Sequence, residues 1–189
     1  MPPKTKINEE MIISAAVEVV RQKGFENINA RTVSEKLHCS TQPVIYHFST
    51  IENLKRAAYR RIDKEHTDYL MNAPQGQDPI LAIGLNYIRF AVEEPQLFRF
   101  LFQSGYAEEN YFLDMIDSEE LIPVIAAMKE GSGLSEEKTK KVFITVALFV
   151  HGYASIIANN HLEFDEKQVT EHLERTWNGA MLAVQEEIE

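Results

Sequence analysis

The sequence predicts an all-α chain, in which a small helix-turn-helix head of three helices is joined to a larger helical body. Three observations carry this. Apolar residues recur at steps of three and four in nearly every segment, without a convincing strand alternation. The 8 glycines and 7 prolines form no tract and punctuate segment ends instead. The charge divides along the chain: residues 1–61 hold 10 Lys and Arg against 6 acids, and the remaining 128 residues hold 9 against 23. A net charge of −10 taken alone argues against a polyanionic partner, but a head at +4 on a body at −14 fits a molecule whose first third meets nucleic acid.

The first helix is expected from Asn8 to Lys23, with Ile12, Ala15, Ala16, Val19 and Val20 on one face, Asn8 as N-cap and Gly24 as its stop. Phe25 then folds back on the last turn. A short helix follows from Ala30 to Leu37, capped by Asn29, and another from about Thr41 to Phe48, with Ser40 supplying a hydroxyl cap. Pro43 falls in the first turn, where its missing N–H costs nothing. Two short helices joined by about three residues, behind a supporting helix, make a helix-turn-helix.

A long helix runs from Ile51 to Met71, and Ala73–Pro79, with two prolines and a glycine, is the clearest break. The junction between head and body is placed at this break, although the long helix can reach into both; the chain is divided into a helix-turn-helix head over 1–50 and a helical body over 51–189, with 51–71 as the linking helix. Helices are expected over Ile80–Val92 and Gln96–Gln103, separated by Glu94-Pro95. Tyr111–Glu130 reads as mostly helical, kinked or split at Pro123, and Gly131–Gly133 reads as a loop. Ser135 caps the next helix. Val142–Ile157 holds 12 apolar residues of 16, too short for a comfortable membrane span, so it is expected to be buried on nearly all sides, one face in its own core and the other on a partner subunit. Glu166–Glu187 closes the chain, with Val169, Leu173, Trp177, Ala180, Met181 and Val184 along one stripe.

At 189 residues, 44% hydrophobic and 25% charged, the composition is that of an ordinary globular protein. Cys39 stands alone, so no internal disulfide forms and a reducing, cytoplasmic compartment is expected. The first residues carry no apolar stretch of the secretory kind. Catalysis finds little support. Histidines 38, 47, 66, 151, 161 and 172 show no metal-ligand spacing, and neither a phosphate loop nor a nucleophile elbow is present. Acid pairs such as Glu108-Glu109 read as solvated surface. Neither an enzyme, a metal nor a cofactor is expected.

The segment from Asn29 to His47 has a specific reading. A recognition helix presents short polar groups at its N-terminal end to base edges, and hydroxyls, amides and rings to flanking phosphates. Ser40, Thr41 and Gln42 occupy that end, and Gln42 can bond an adenine edge. Tyr46 and His47 lie a turn later, within reach of phosphate, or else they pack against the first helix. Pro43 and Val44 offer apolar contact to a thymine methyl. Asn29, Arg31 and Lys55 are phosphate candidates. Either Val44 or Ile45 faces the core.

These residues carry a resemblance. Gly24-Phe25, Val33, Leu37, Ser40, Tyr46, His47, Phe48 and Leu54 fall, without a gap, into the pattern of the DNA-binding head of the TetR family of bacterial transcriptional regulators. Tyr87–Phe102 and His151–Ile156 resemble the family's ligand-binding domain more loosely. His38 stands where glycine is common and a positive φ is required, Ile51 where a phosphate-contacting lysine is frequent, and Ile45 where many members have tyrosine. The resemblance implies a ligand-responsive regulator, a repressor released from a palindromic operator in double-stranded DNA by a small-molecule effector. It also implies a homodimer formed through the last two helices and no membrane partner. Phe98, Phe102, Tyr111, Met115, Phe143 and His151 are the effector-binding candidates it suggests, with His151 singled out because an imidazole among Val, Phe and Gly must find a partner. The acidic body suits a cationic effector or is simply solvated surface. The competing reading is a helical carrier of lipophilic small molecules without specific DNA binding.

Overall fold

The computed structural model describes residues 7–72, 79–107, 116, 119, 121–160 and 162–186, and among them every regular element is helical. The helices are α1 (Glu9–Lys23), α2 (Ala30–Lys36), α3 (Gln42–Phe48), α4 (Ile51–Met71), α5 (Pro79–Glu93), α6 (Pro95–Gln103), α7 (Ile122–Ser132), α8 (Glu136–Asn160) and α9 (Glu166–Glu186). A 3-10 turn, Phe25–Asn27, joins α1 to α2.

The described residues divide into two compact units, one made of 7–66 and 94–107 and the other of 67–93 and the residues from Ile116 onward. The division therefore lies inside α4, between His66 and Thr67, so that this helix contributes to both units. Its physical cause is burial: Leu54, Ala58, Tyr59 and Ile62 of α4 are core residues, and they pack with the head and not with the body.

In the first unit, α1 packs on α2, α3 and α6. Asn8 Oδ1 accepts from the Met11 N–H at 2.9 Å, as its capping role requires. Gly24 at φ 86° ends the helix, and its N–H donates to the Val20 carbonyl at 2.8 Å. Phe25 does not simply fold back on α1. Its ring stacks on Phe100 of α6, centroids 5.3 Å apart, and Phe100 in turn meets Tyr59 and Tyr106 edge-on. Arg21 Nε donates to both carboxylate oxygens of Glu94 at 2.9 Å, tying α1 to the start of α6.

In the second unit, α5 and α9 both pack on α8, and α7 covers α8 and α5. Gly84 on α5 makes the closest approach, since a Cβ there would lie 2.9 Å from Leu173 Cδ2 of α9. The buried Asn86 amide donates to the carbonyls of Tyr69, Leu70 and Asn72 at 3.2–3.3 Å, satisfying the C-terminus of α4 from within this unit. Pro123 does not kink a helix but stands in the first turn of α7, where φ near −65° suits helix initiation. Gly131 and Ser132 continue that helix, and only Gly133, left-handed at φ 69°, terminates it. The Ser135 hydroxyl accepts from the Lys138 N–H at 3.3 Å, the cap expected of it. The α8 helix has 25 residues, so by length and composition it is long enough to cross a membrane. Its length is thus no objection to a span, contrary to the expectation from residues 142–157. Val142, Val146, Val150, Ala154 and Ile157 form a buried stripe of this helix against α5, α7 and α9.

Candidate nucleic-acid interface and internal cavity

Asn29 opens the candidate interface as the N-cap of α2. Its Oδ1 accepts from the N–H groups of Arg31 and Thr32 at 3.1 and 3.0 Å, while Thr32 Oγ1 accepts from the Asn29 N–H at 3.2 Å. This reciprocal capping commits the Asn29 carboxamide to the helix. Arg31 projects outward and holds an exposed ion pair with Glu35 at 2.9 Å. Such a pair contributes only ~0–1 kcal/mol, so a phosphate displaces it at small cost.

The turn after α2 depends on His38, whose φ of 52° is the left-handed conformation that the glycine of the resembling pattern would take without strain. The helix then starts one residue later than expected. Thr41 and not Ser40 is the N-cap of α3, and the Thr41 side chain makes no cap hydrogen bond. Ser40, Thr41 and Gln42 are all exposed, Pro43 is half-buried in the first turn, and Lys55 is half-buried on α4.

Two aliphatics left open by the sequence are now distinguished. Val44 is 1% exposed and faces α1 and α2, whereas Ile45 is 55% exposed. Val44 therefore has no surface to offer a thymine methyl, and Ile45, which the sequence reading passed over, has. Tyr46, 81% exposed, extends the same outer face. His47 turns the other way. Its Nε2 lies 3.2 Å from the Ile7 carbonyl and its Nδ1 3.6 Å from Glu9, so it takes the alternative of packing against the start of the first helix. A helix of this length has one outward face, and here it carries Gln42, Ile45 and Tyr46 at steps of three and one.

The second unit holds an internal cavity of about 60 Å³, bordered by α5, α7, α8 and α9 and by Leu70. Phe143 lines it, as expected, together with Val146, Ala147 and Val150 from the same face of α8. Tyr87 and Trp177 supply its remaining rings. His151 stands behind Tyr87, whose hydroxyl lies 2.8 Å from His151 Nδ1, and the Ser155 hydroxyl is 3.4 Å from Nε2. The imidazole has thus found its partner, and burial holds its pKa below the ordinary 6.5. Phe98 and Phe102 belong to the other unit and do not border this cavity. Phe98 is fully buried against Phe102, with ring centroids 4.7 Å apart, and Phe102 meets His66 edge-on. Tyr111 and Met115 lie outside the described residues. Ile80, Tyr87, Val124 and Trp177 escaped the sequence reading. The available signal was the 143–146–147–150 spacing on α8 together with the lone tryptophan on the α9 stripe.

Residues 80–178 match the family model described as the tetracyclin repressor-like, C-terminal domain. Among curated proteins, the HTH-type transcriptional regulator YobS of Bacillus subtilis is 21% identical over 171 residues, 88% of this chain and 87% of its own. Among solved structures, a TetR-family transcriptional regulator of Streptomyces coelicolor superimposes with a TM-score of 0.65 at 12% identity, covering 94% of this chain and 87% of its own. The multidrug binding protein EbrR, complexed with imidazole, superimposes with a TM-score of 0.55 at 21% identity, covering 88% of each chain. With more than half of its length matched by the family model, the chain belongs to the TetR family, whose members are ligand-responsive DNA-binding transcriptional regulators, typically repressors, and not enzymes.

Proposed function

We propose that the protein is a homodimeric repressor that reads a palindromic operator with α3 and releases it when a small molecule occupies the cavity of the second unit. The observation that carries the first half is the sorting of side chains on α3. The hydroxyls of Ser40 and Thr41, the Gln42 amide, the Ile45 side chain and the Tyr46 ring all face solvent, while Val44 is buried and His47 is turned toward the start of α1. An exposed isoleucine and tyrosine on a seven-residue helix sacrifice apolar burial, and base edges and sugar–phosphate are the surfaces that repay it. In this reading Gln42 bonds a base, Ile45 meets a thymine methyl, and Tyr46 and Arg31 contact phosphate, with Lys55 beside them. Asn29 and His47 act at one remove, by capping α2 and by fixing α3 to the start of α1.

Dimerisation is assigned to α8 and α9. Leu148, Gly152 and Ile156 are exposed at steps of four along α8, and Gly179 and Leu182 are exposed on α9, small or apolar groups whose exposure a second copy would end. Two heads about a two-fold axis then meet successive major grooves, about 34 Å apart. Effector binding would favour a different head spacing through α4, in which the division between the units falls. The protein would act in the cytoplasm, without a membrane partner.

The decisive measurement is binding to the DNA upstream of its own gene, at two salt concentrations. A regulator shows specific binding that falls steeply with salt, whereas a carrier of lipophilic molecules with an incidental basic head gives no shift even at low salt. Gln42→Ala and Tyr46→Ala are each expected to weaken operator binding, Gln42→Ala by about 1–3 kcal/mol, with the dimer intact by sedimentation. Normal binding by both variants would show that α3 is not the reading element.

A further inference from the structure

The cavity of the second unit, taken as the effector site on the reading above, says what kind of molecule it accepts and by which wall that molecule arrives. Among the described residues its lining carries no ionised side chain, only aliphatics, Phe143, Tyr87 and Trp177. Its one hydroxyl, on Tyr87, is already held at 2.8 Å by His151. Two described acids of this unit are engaged away from it: Glu166 pairs with Arg89 at 2.6 Å, and Glu93 accepts from the Tyr69 hydroxyl at 2.8 Å. A buried cation would find no counter-ion there, and an unpaired buried charge is strongly disfavoured. Among the described residues, the acidity of the body therefore does not extend into the cavity lining.

Size adds a second constraint. A space of about 60 Å³ holds roughly two waters' share of liquid volume and is well below the ~150 Å³ that admits benzene in an engineered cavity. Two surface clefts adjoin it, of about 310 and 320 Å³. The side chains of Ile80 and Trp177 border the cavity and both clefts. The 310 Å³ cleft is lined by Glu174, whereas the described lining of the 320 Å³ cleft carries no ionised side chain, so merging the cavity with the latter keeps the site uncharged and reaches the ~300–1,000 Å³ usual for small-molecule sites. The Trp177 ring, half-buried on α9, is the largest piece of that partition.

We infer that the effector is an uncharged, lipophilic small molecule that gains the cavity by displacing the Trp177–Ile80 partition from the adjoining 320 Å³ cleft. Carboxylic acids and quaternary amines are disfavoured by the same chemistry, since among the described residues neither charge has a partner in the lining of the cavity or of the 320 Å³ cleft.

The test uses the full-length protein and two dyes, the uncharged N-phenyl-1-naphthylamine and the permanently cationic ethidium, followed by stopped-flow and equilibrium fluorescence. The uncharged dye is expected to bind at least tenfold more tightly than ethidium, and equal or tighter ethidium binding overturns the charge assignment. Ala147→Leu, which fills the cavity, should weaken the uncharged dye at least tenfold. Trp177→Ala should speed its association at least tenfold, with Trp177→Phe intermediate and retaining the fold by circular dichroism. Dye binding that Ala147→Leu weakens but neither Trp177 variant accelerates overturns the access wall and leaves the site standing. Dye binding indifferent to Ala147→Leu, or absent up to the dye's solubility, overturns the cavity as the effector site itself.

Discussion

Tyr46 in the head leaves most of its ring to solvent, whereas Tyr87 in the body is buried and linked to a half-buried His151. The contrast extends to the units that contain them. Residues 1–66 and 94–107 carry 12 Lys and Arg against 9 acids, while the rest of the chain carries 7 against 20. The head places its candidate chemistry on the outer face of a two-turn helix that packs on α1 and α2, while the ring cluster of Phe25, Tyr59, Phe100 and Tyr106 lies elsewhere in the unit, so the candidate reading face and the core use different residues. In the body the candidate ligand-binding groups are the core itself, so each substitution there touches both. A shape read by DNA can be displayed on a rigid support, but a small molecule must be enclosed, and enclosure is made from packing.

The comparison is challenged most severely at the support of the head. Phe100→Ala removes the ring on which Phe25 stacks and should cost about 3–5 kcal/mol, read as a large fall in the thermal midpoint, whereas Tyr46→Ala should stay within about 0.5 kcal/mol. Equal effects of the two would erase the separation of reading face from support.

Within the body, Gly84→Ala pushes a methyl against Leu173 and should cost about 1–3 kcal/mol by denaturant titration, with the uncharged dye bound more weakly in parallel. A stability loss with unchanged dye affinity would show that packing and ligand binding are separable there after all.

A smaller effect of opposite sign is expected at the turn of the head. His38→Gly relieves a left-handed backbone and should add about 0.5–1 kcal/mol of stability, offset in part by the greater freedom of glycine in the unfolded chain.

The last test concerns pH. Because burial lowers the His151 pKa, the unfolded chain takes up this proton first as pH falls. The contribution is whole above the ordinary pKa near 6.5 and is lost as pH drops through the depressed value. His151→Asn should therefore narrow the difference in thermal midpoint between neutral and mildly acidic buffer, and an unchanged difference would show that this imidazole does not govern the body's acid sensitivity.

Much of the head was legible in the sequence because its signals are local. Asn8 and Asn29 cap the helices they precede, and Pro43 lies in the first turn of α3, as short-range rules require. His38 adopts the positive φ that its place in the pattern demanded. Neighbouring aliphatics were harder. Val44 and Ile45 differ by one 100° step on a helix of two turns, and either can serve as the inward anchor until α1 and α2 are placed against it. In the body the difficulty was larger, because Phe98, Phe102 and Phe143 all sit at helical spacing in apolar surroundings. Nothing local tells which core each one enters.

The sequence by itself determined the helical class, most element ends, the basic bias of the first third and the presence of a short helix after the His38 turn, since caps, breakers, periodicity and charge act over a few residues. Tertiary structure decided which side of α3 faces out, that α4 is divided after His66, that Phe98 and Phe102 pack in the head unit, and that Tyr87, Phe143 and Trp177 border one cavity. Those outcomes depend on contacts between residues dozens of positions apart, where the competing partners are chemically alike and only the fit of whole helices separates them.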